Sequence, residues 1–387
     1  MKNRAIKYLI FFAGGYFIFL CLLHYFSRRP LWLDEQLLFS NIQDFTFSQL
    51  FGPLKNTQVF PRAYLAIIKA ISAPFSYNVL MLRLIPLLFM LSGFFLWFKI
   101  FKAEGKAGLV LLLLVLSFAG SRYMTYYAAE FKQYSCDLFA VAVFVMFVYY
   151  QQKYLRRETL LKTIWLFSLL TPVLFFFSYI SALIAWVVAF NYLFMLKKNR
   201  ELLAPFVAYA AIAAACFILV YLFDIRYSTG NQSMHDYWKD YFISLRSPYE
   251  FLKTLTEGMR KITVSWFLNQ KWAMGLATFF MPFCWIAMIK LFISSVKRSG
   301  WRFFDVNSLC LILVLELLFL GAFQIYPFTG CRITLFMAPF FFYMIVEGIC
   351  LFKKVKFVLY PMACFYALFL CIVSYNLLKE YLGLYGK

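Results

Sequence analysis

Three short segments carry residues whose types could do chemistry, and each lies beside a long apolar run. The first is Leu31–Gln36, with two adjacent carboxylates, Asp34 and Glu35. A carboxylate near a substrate hydroxyl could act as a general base. The alternative is a helix start, in which one acid caps the helix and the next lies in its first turn.

The second segment, residues 122–134, combines several tyrosines with Glu130 and Lys132. Groups of this kind are costly beside lipid unless they face a cavity. An aromatic belt at the membrane surface is the alternative, and it accounts for the tyrosines. It does not account for Glu130 and Lys132, which would either form an ion pair or contact a ligand separately.

The third segment is Tyr326–Arg332, where Pro327 and Gly330 interrupt helical structure. Irregular backbone at membrane depth is tolerated where it is buried in protein or lines a polar cavity. The Arg332 guanidinium could hold a phosphate through two parallel hydrogen bonds, or it could anchor the chain at the membrane surface.

Arg83 lies a turn or two inside the second apolar run, in the sequence Leu82–Pro86. A charge inside a membrane span requires a partner. The outer carboxylates Asp34, Glu35 and Glu130 are the plausible ones.

The composition shows what kind of protein positions these residues. Of 387 residues, 64% are hydrophobic and only 14% are charged, whereas soluble domains are about half apolar and about a quarter charged. The net charge of +21 lies in short basic clusters between apolar runs, which is typical of membrane topology. We therefore expect a single all-α membrane domain over residues 1–387 with no nucleic-acid partner.

Hydropathy predicts about eleven membrane spans, each near the length needed to cross about 30 Å of hydrocarbon. A break near residues 178–179 separates the fifth from the sixth. The predicted spans are 6–26, 77–100, 107–124, 136–150, 162–178, 180–196, 203–223, 272–295, 304–325, 333–352 and 356–378.

Basic residues then assign the two sides of the membrane. With the N-terminus inside, every predicted cytoplasmic segment is basic, as the positive-inside rule requires. Two long segments, 27–76 and 225–271, fall outside and are expected to form amphipathic helices at the membrane surface. We call them the first and second outer segments. The three chemistry-bearing segments and Arg83 all lie on this outer side.

At these residues the chain resembles the GT-C superfamily of membrane glycosyltransferases, over most of its length. The resemblance is to family 39 and the RgtA/B/C/D-like bacterial group, which is related to protein mannosyltransferases and aminoarabinose transferases. The motifs, in chain order, are Trp32–Glu35, Phe60–Tyr64, Leu82–Pro86, Glu130–Ser135 and Tyr326–Arg332.

The resemblance implies a bacterial cytoplasmic-membrane enzyme with its active site on the outer side. Its donor would be a sugar linked to polyprenyl phosphate, and its acceptor a glycan, a lipid or a protein. Asp34, the first acid of the pair, is the expected catalytic base. The chain lacks the histidines associated with metal in the aminoarabinose transferases, so no metal or other cofactor is expected.

The chemistry of transfer from a phosphate-linked sugar fits these residue types. A base near the acceptor hydroxyl and cations near the leaving phosphate are sufficient, because phosphate leaves without help from an acid. The predicted roles are catalysis for Asp34 and Glu35, with Asp34 as base; sugar or acceptor positioning for Glu35 and Glu130; phosphate or carboxylate contacts for Arg332, Lys132 and Arg83; and hydrogen bonds from Tyr134 and Tyr326.

Two alternatives remain from the sequence. A flippase or transporter of lipid-linked sugars would also contain intramembrane charges, but it predicts inverted repeats and broken helices near the midplane, which the sequence does not show. A polysaccharide polymerase or ligase would use similar chemistry.

Overall fold

The computed structural model describes residues 2–153, 157–196, 200–227, 232–267, 271–299 and 305–383. These ranges contain helices, turns and irregular backbone, and no strand. The all-α prediction is confirmed.

The α-helices are numbered in chain order. They are α1 (Lys2–Phe26), α2 (Leu33–Asp44), α3 (Arg62–Ser72), α4 (Val79–Ala103), α5 (Gly108–Ala119), α6 (Arg122–Tyr127), α7 (Tyr134–Lys153), α8 (Arg157–Phe177), α9 (Ile180–Leu196), α10 (Leu203–Phe223), α11 (Gln232–Trp238), α12 (Pro248–Val264), α13 (Lys271–Thr278), α14 (Met281–Ser299), α15 (Val306–Ala322), α16 (Ala338–Cys350) and α17 (Lys356–Tyr381).

Within the described ranges, seven helical stretches are long and apolar enough to cross a membrane, and four shorter apolar helices accompany them. Each of these eleven coincides with a predicted span. The predicted break in the fifth apolar stretch is present, since α8 ends at Phe177 and α9 begins at Ile180. A helical membrane protein is thus supported, while the number of actual crossings stays a prediction.

The predicted span 272–295 is interrupted. Helix α13 ends at Thr278 and α14 begins at Met281. Proline lacks a backbone donor and is favoured in the first turn of a helix. Pro282 is the second residue of α14, so it suits the start of a new helix and not the interior of a continuous one.

Close packing of α4 against α7 brings Arg83 and the second chemistry-bearing segment together. A Cβ atom at Gly93 of α4 would overlap the Leu138 side chain of α7, so glycine permits the close approach. Helix α4 carries Arg83 near its start, and the segment with Glu130 leads directly into α7. Both are therefore held at the same end of the helix pair.

The first outer segment forms its own apolar core at that end. Helices α2 and α3 bury one face each, with Leu38 and Ile42 meeting Leu65 and Ile68. Spacings of three and four residues place such pairs on one side of a helix. Phe131 belongs to the same core, so the segment before α7 is packed into this layer.

The second outer segment braces the third chemistry-bearing segment. The Phe328 amide donates a hydrogen bond of 3.0 Å to the Tyr241 carbonyl. A Cβ atom at Gly330 would overlap the Lys261 carbonyl of α12. Helix α12 starts at Pro248, after Ser247, whose hydroxyl accepts from a first-turn amide. The position of Arg332 thus depends on a segment about 70 residues earlier in the chain.

Candidate active site

Asp34 and Arg332 form an ion pair that joins the first and third chemistry-bearing segments. The distance from Arg332 Nη1 to Asp34 Oδ2 is 2.6 Å. The Arg332 side chain is 17% exposed and the Asp34 side chain 23% exposed, so the pair is partly accessible to solvent. The guanidinium also lies 5.3 Å from the centre of the Trp32 ring, a cation–π arrangement.

Glu35 lies in the interior and holds Arg83. Arg83 Nε is 3.0 Å from Glu35 Oε1, and Arg83 Nη2 is 2.7 Å from Oε2. Neither side chain has any solvent exposure. The Phe131 amide donates to Oε1 at 3.1 Å. Among the three carboxylates predicted as partners of Arg83, the structure assigns Glu35.

The same carboxylate also starts helix α2. The Trp32 amide, at the N-cap of α2, donates to Glu35 Oε2 at 3.3 Å. Glu35 is therefore the first-turn acid that the sequence offered as the alternative to a catalytic role. Arg83 Nη1 in turn donates to the Arg29 carbonyl at 2.9 Å. The pair therefore ties the start of the first outer segment to α4 and sets the orientation of Asp34, the preceding residue.

Glu130 is a buried carboxylate with an unsatisfied hydrogen-bonding capacity. Its side chain has no solvent exposure, and the Arg29 guanidinium lies 3.6 Å from Oε2. Neither oxygen accepts a hydrogen bond of normal geometry from the described residues. Burial, with the Glu35 charge second, raises the pKa of Glu130 to about 7 against the opposing effects of Arg29 and Trp32. A buried carboxylate that pairs with a cation but accepts no hydrogen bond of normal geometry is costly, which is typical of a site completed by a ligand.

Lys132 is buried nearby and does not pair with Glu130. Its ammonium donates to Gln58 Oε1 at 3.1 Å, which uses one of its three donor positions. Burial lowers the pKa of Lys132, while the charges of Asp34 and Glu130 raise it and that of Arg332 lowers it further. Glu130 and Lys132 are thus separate groups beside the Asp34–Arg332 pair, and both have capacity for a ligand.

The two predicted tyrosines differ in their surroundings. Tyr134, the first residue of α7, packs edge-on against Tyr127 with ring centres 5.0 Å apart. The Tyr326 hydroxyl donates to the Ile333 carbonyl at 2.6 Å. Tyr326 therefore braces the loop that carries Arg332, whereas Tyr134 forms part of the wall of the site.

Sequence reasoning missed Arg29 and Gln58. Arg29 lies between the two buried acids, with Nη1 3.3 Å from Glu35 Oε2, and its guanidinium lies 4.5 Å from the centre of the Tyr126 ring. A signal for Arg29 was present, since it follows the first span on the side where basic residues are sparse. Gln58 lies in irregular backbone, two residues before the Phe60–Tyr64 motif and outside it.

The site can therefore bind an anion next to a base. Three cations, Arg332, Lys132 and Arg29, lie beside two carboxylates. Asp34 is partly exposed and Glu130 is buried. No group of three or more His, Cys, Asp or Glu side chains in the described part of the chain is arranged to hold a metal ion.

Comparisons with protein-family models, curated proteins and solved structures found no match to the chain. Function is therefore inferred from the chemistry of the site together with the resemblance of its motifs.

Proposed function

We propose that the chain is a membrane glycosyltransferase of the GT-C type. It moves a sugar from a polyprenyl-phosphate donor to an acceptor hydroxyl of a glycan, lipid or protein. One observation carries the proposal: the Asp34 carboxylate lies 2.6 Å from the Arg332 guanidinium, close enough to Lys132 and Glu130 that the four charges interact, and Glu130 accepts no hydrogen bond of normal geometry from the described residues. A base beside an anion-binding group is what this transfer requires.

In the proposed reaction Asp34 takes the proton of the acceptor hydroxyl as its oxygen bonds to the anomeric carbon of the sugar. The bond from that carbon to the phosphate oxygen breaks, and the polyprenyl phosphate leaves with the electron pair. Arg332 and Lys132 stabilise the charge that collects on the phosphate. The products are the glycosylated acceptor and polyprenyl phosphate, with the proton on Asp34.

The Asp34–Arg332 pair links donor binding to catalysis. A phosphate that engages Arg332 competes with Asp34 for the same guanidinium, because both are anions that suit its planar fork. Donor binding therefore releases Asp34 toward the acceptor. Without a donor, Asp34 stays paired with Arg332 and does not act on the acceptor.

The remaining charged residues position the reactants. Glu130 has two unsatisfied oxygens that suit the hydroxyl groups of a sugar, with Tyr134 beside them. Glu35 and Arg83 pair with each other and also make contacts to Arg29, so their proposed role is to position Asp34 and not to touch the substrate.

The proposed topology has eleven crossings of the bacterial cytoplasmic membrane, with the N-terminus inside and the site outside. Basic cytoplasmic segments and the position of both outer segments support it. The mechanism uses side chains of the protein and requires no metal.

The test compares Asp34→Asn with Asp44→Asn in purified protein. Both acids lie on α2, and Asp44 pairs with Lys55 near the surface, where the two side chains are 51% and 46% exposed. The assay measures polyprenyl phosphate released from synthetic polyprenyl-phosphate hexose or pentose. We expect Asp34→Asn to bind the donor and to slow release about 10²–10⁴-fold, and Asp44→Asn to remain as active as the original protein. Full activity of Asp34→Asn would remove it from the mechanism.

The same assay separates the transporter alternative. A flippase would carry the intact lipid-linked sugar between leaflets and release no polyprenyl phosphate. Transport without release would replace the glycosyltransferase proposal.

A further inference from the structure

Two exposed aromatic side chains lie beside the Asp34–Arg332 pair, one from each outer segment. Trp32, directly before α2, is 37% exposed, and its ring centre lies 5.3 Å from the Arg332 guanidinium. Tyr237 of α11 is 61% exposed, and it lies close enough to Arg332 for the two groups to interact electrostatically. The proposed transfer step uses neither ring.

The Tyr237 ring is held in place by an aromatic cluster. It packs edge-on against Trp238 with ring centres 4.9 Å apart, and Trp238 packs edge-on against Tyr241 with centres 5.5 Å apart. The Tyr241 carbonyl accepts from the Phe328 amide, four residues before Arg332. The cluster is therefore tied to the loop that carries Arg332, and it forms part of the rim of the candidate active site.

The charged residues next to Tyr237 in the chain distinguish this rim from a membrane anchor. Asp236, Lys239 and Asp240 are all exposed, so the segment presents two acids and one base. Amphipathic segments that bind a lipid surface are rich in Lys and Arg, because they face anionic headgroups. The rim suits a hydroxylated ligand instead, since carboxylates accept hydrogen bonds from hydroxyl groups.

A saccharide has the chemistry that matches exposed rings beside carboxylates. The faces of a pyranose carry C–H groups, which gain dispersion contacts and leave water when they pack on an aromatic ring. Tyrosine and tryptophan provide this contact area at a low cost in conformational entropy. The edges of the pyranose carry hydroxyls. A serine or threonine side chain has no such face, and an acyl chain has no hydroxyls.

We propose that the acceptor is a glycan and that Tyr237 stacks on one of its sugar rings, with Trp32 as a second aromatic contact. Stacking presents a hydroxyl at the edge of that sugar to Asp34, and the transfer step is otherwise the one described above. The inference rests on the proposed function, since it names the class of acceptor for that reaction.

A binding experiment compares Tyr237→Ala with Tyr237→Phe, which keeps the ring, and with Tyr249→Ala. Tyr249 is the control, because it lies on α12 of the same outer segment and is 74% exposed. Saturation-transfer NMR measures binding of the methyl pyranosides of glucose, galactose, mannose and arabinose, with glycerol as a reference that has hydroxyls and no ring. The full chain is held in phosphatidylcholine nanodiscs, since maltoside detergents are themselves saccharides. We expect Tyr237→Ala to weaken pyranoside binding about tenfold and the other two variants to retain it.

A kinetic experiment shows whether the bound saccharide is the acceptor. Release of polyprenyl phosphate is measured with the same pyranosides and, as alternative acceptors, with a threonine-containing peptide and with diacylglycerol. We expect release to require a pyranoside. Tyr237→Ala should raise the KM for the pyranoside about tenfold and leave kcat and the KM for the donor unchanged.

The outcomes distinguish the two proposals. Equal pyranoside binding by Tyr237→Ala and Tyr249→Ala overturns the inference, as does the absence of binding to the original protein. A raised KM for the donor in Tyr237→Ala would assign the ring to the donor sugar, which also overturns it. Transfer to the peptide or to diacylglycerol, unaffected by Tyr237→Ala, overturns the glycan acceptor and leaves the transferase standing. If no acceptor supports release, the proposed function fails together with the inference.

Discussion

Arg83 and Glu35 form a bidentate ion pair in which neither side chain is exposed to solvent. Asp34, the neighbour of Glu35, is 23% exposed and pairs with Arg332 instead. Successive residues of a helix point about 100° apart. Two adjacent acids therefore lie in two different environments. Glu35 is buried inside the protein, and Asp34 lies at the opening of the site.

Removing one partner of the buried pair should destabilise the protein strongly. Arg83→Ala removes the bidentate partner of the buried Glu35 charge and leaves only the 3.3 Å contact to Arg29 among the cations described, and we expect a loss of about 3–5 kcal/mol in the free energy of unfolding. Lys55→Ala is the control, because its pair with Asp44 is about half exposed and should contribute about 0–1 kcal/mol. Thermal unfolding in detergent measures both. Similar melting of the two variants would show that the buried pair does not brace the fold.

Arg332 should determine donor use. Loss of a charge-assisted contact costs about 1.5–3 kcal/mol, so Arg332→Ala should weaken donor binding by about ten- to a hundredfold. Arg332→Lys should recover only part of this, since an ammonium lacks the planar fork. Arg122→Ala is a control, because Arg122 pairs with Glu380. Donor titration of polyprenyl phosphate release provides the measurement. A donor dependence that is unchanged in Arg332→Ala would identify this residue as an anchor only.

Glu130 should make stability depend on pH. Burial raises its pKa from 4.5 to about 7 in the folded chain, so folding favours the protonated acid. The stabilising contribution is fully present below pH 4.5 and is lost as the pH rises through about 7. Glu130→Gln stays neutral and should become more stable than the original protein across this window, on the order of 3 kcal/mol at pH 8.

The measurement is thermal unfolding of both proteins between pH 4.5 and 8, without ligand. Glu257→Gln is the control, because hydrogen bonds from Arg260 lower the pKa of Glu257, and its carboxylate is not destabilised on folding. Parallel curves for Glu130→Gln and the original protein would contradict the prediction.

Gly330 should be intolerant of a side chain. A Cβ atom there would overlap the Lys261 carbonyl, and Gly330→Ala must displace the loop that carries Arg332. Overpacking of this kind costs about 1–3 kcal/mol. Gly275→Ala is the matched control, since no atom lies within 4 Å of its added Cβ. We expect only Gly330→Ala to reduce thermal stability and donor binding, and equal behaviour of both variants would show that α12 does not position Arg332.

The helical architecture could be predicted from the sequence because hydropathy acts locally. Runs of apolar residues near bilayer length identify helices wherever they occur. The break between α8 and α9 was also predicted, whereas the interruption at Pro282 was not. A proline early in a helix and one within a helix have the same local sequence signal, and only packing distinguishes them.

By itself, the sequence determined the class of fold and identified the residues whose side chains could take part in catalysis or ligand binding. Only the tertiary structure decided how those residues divide. It paired Glu35 with Arg83 and Asp34 with Arg332, left Glu130 unsatisfied, and showed that Tyr326 holds its own loop. It also brought Arg29 and Gln58 into the site and used the second outer segment to brace Arg332. The physical reason is that hydropathy is a property of each segment, whereas the partner of a buried charge depends on which segments the packing of α4 and α7 brings together.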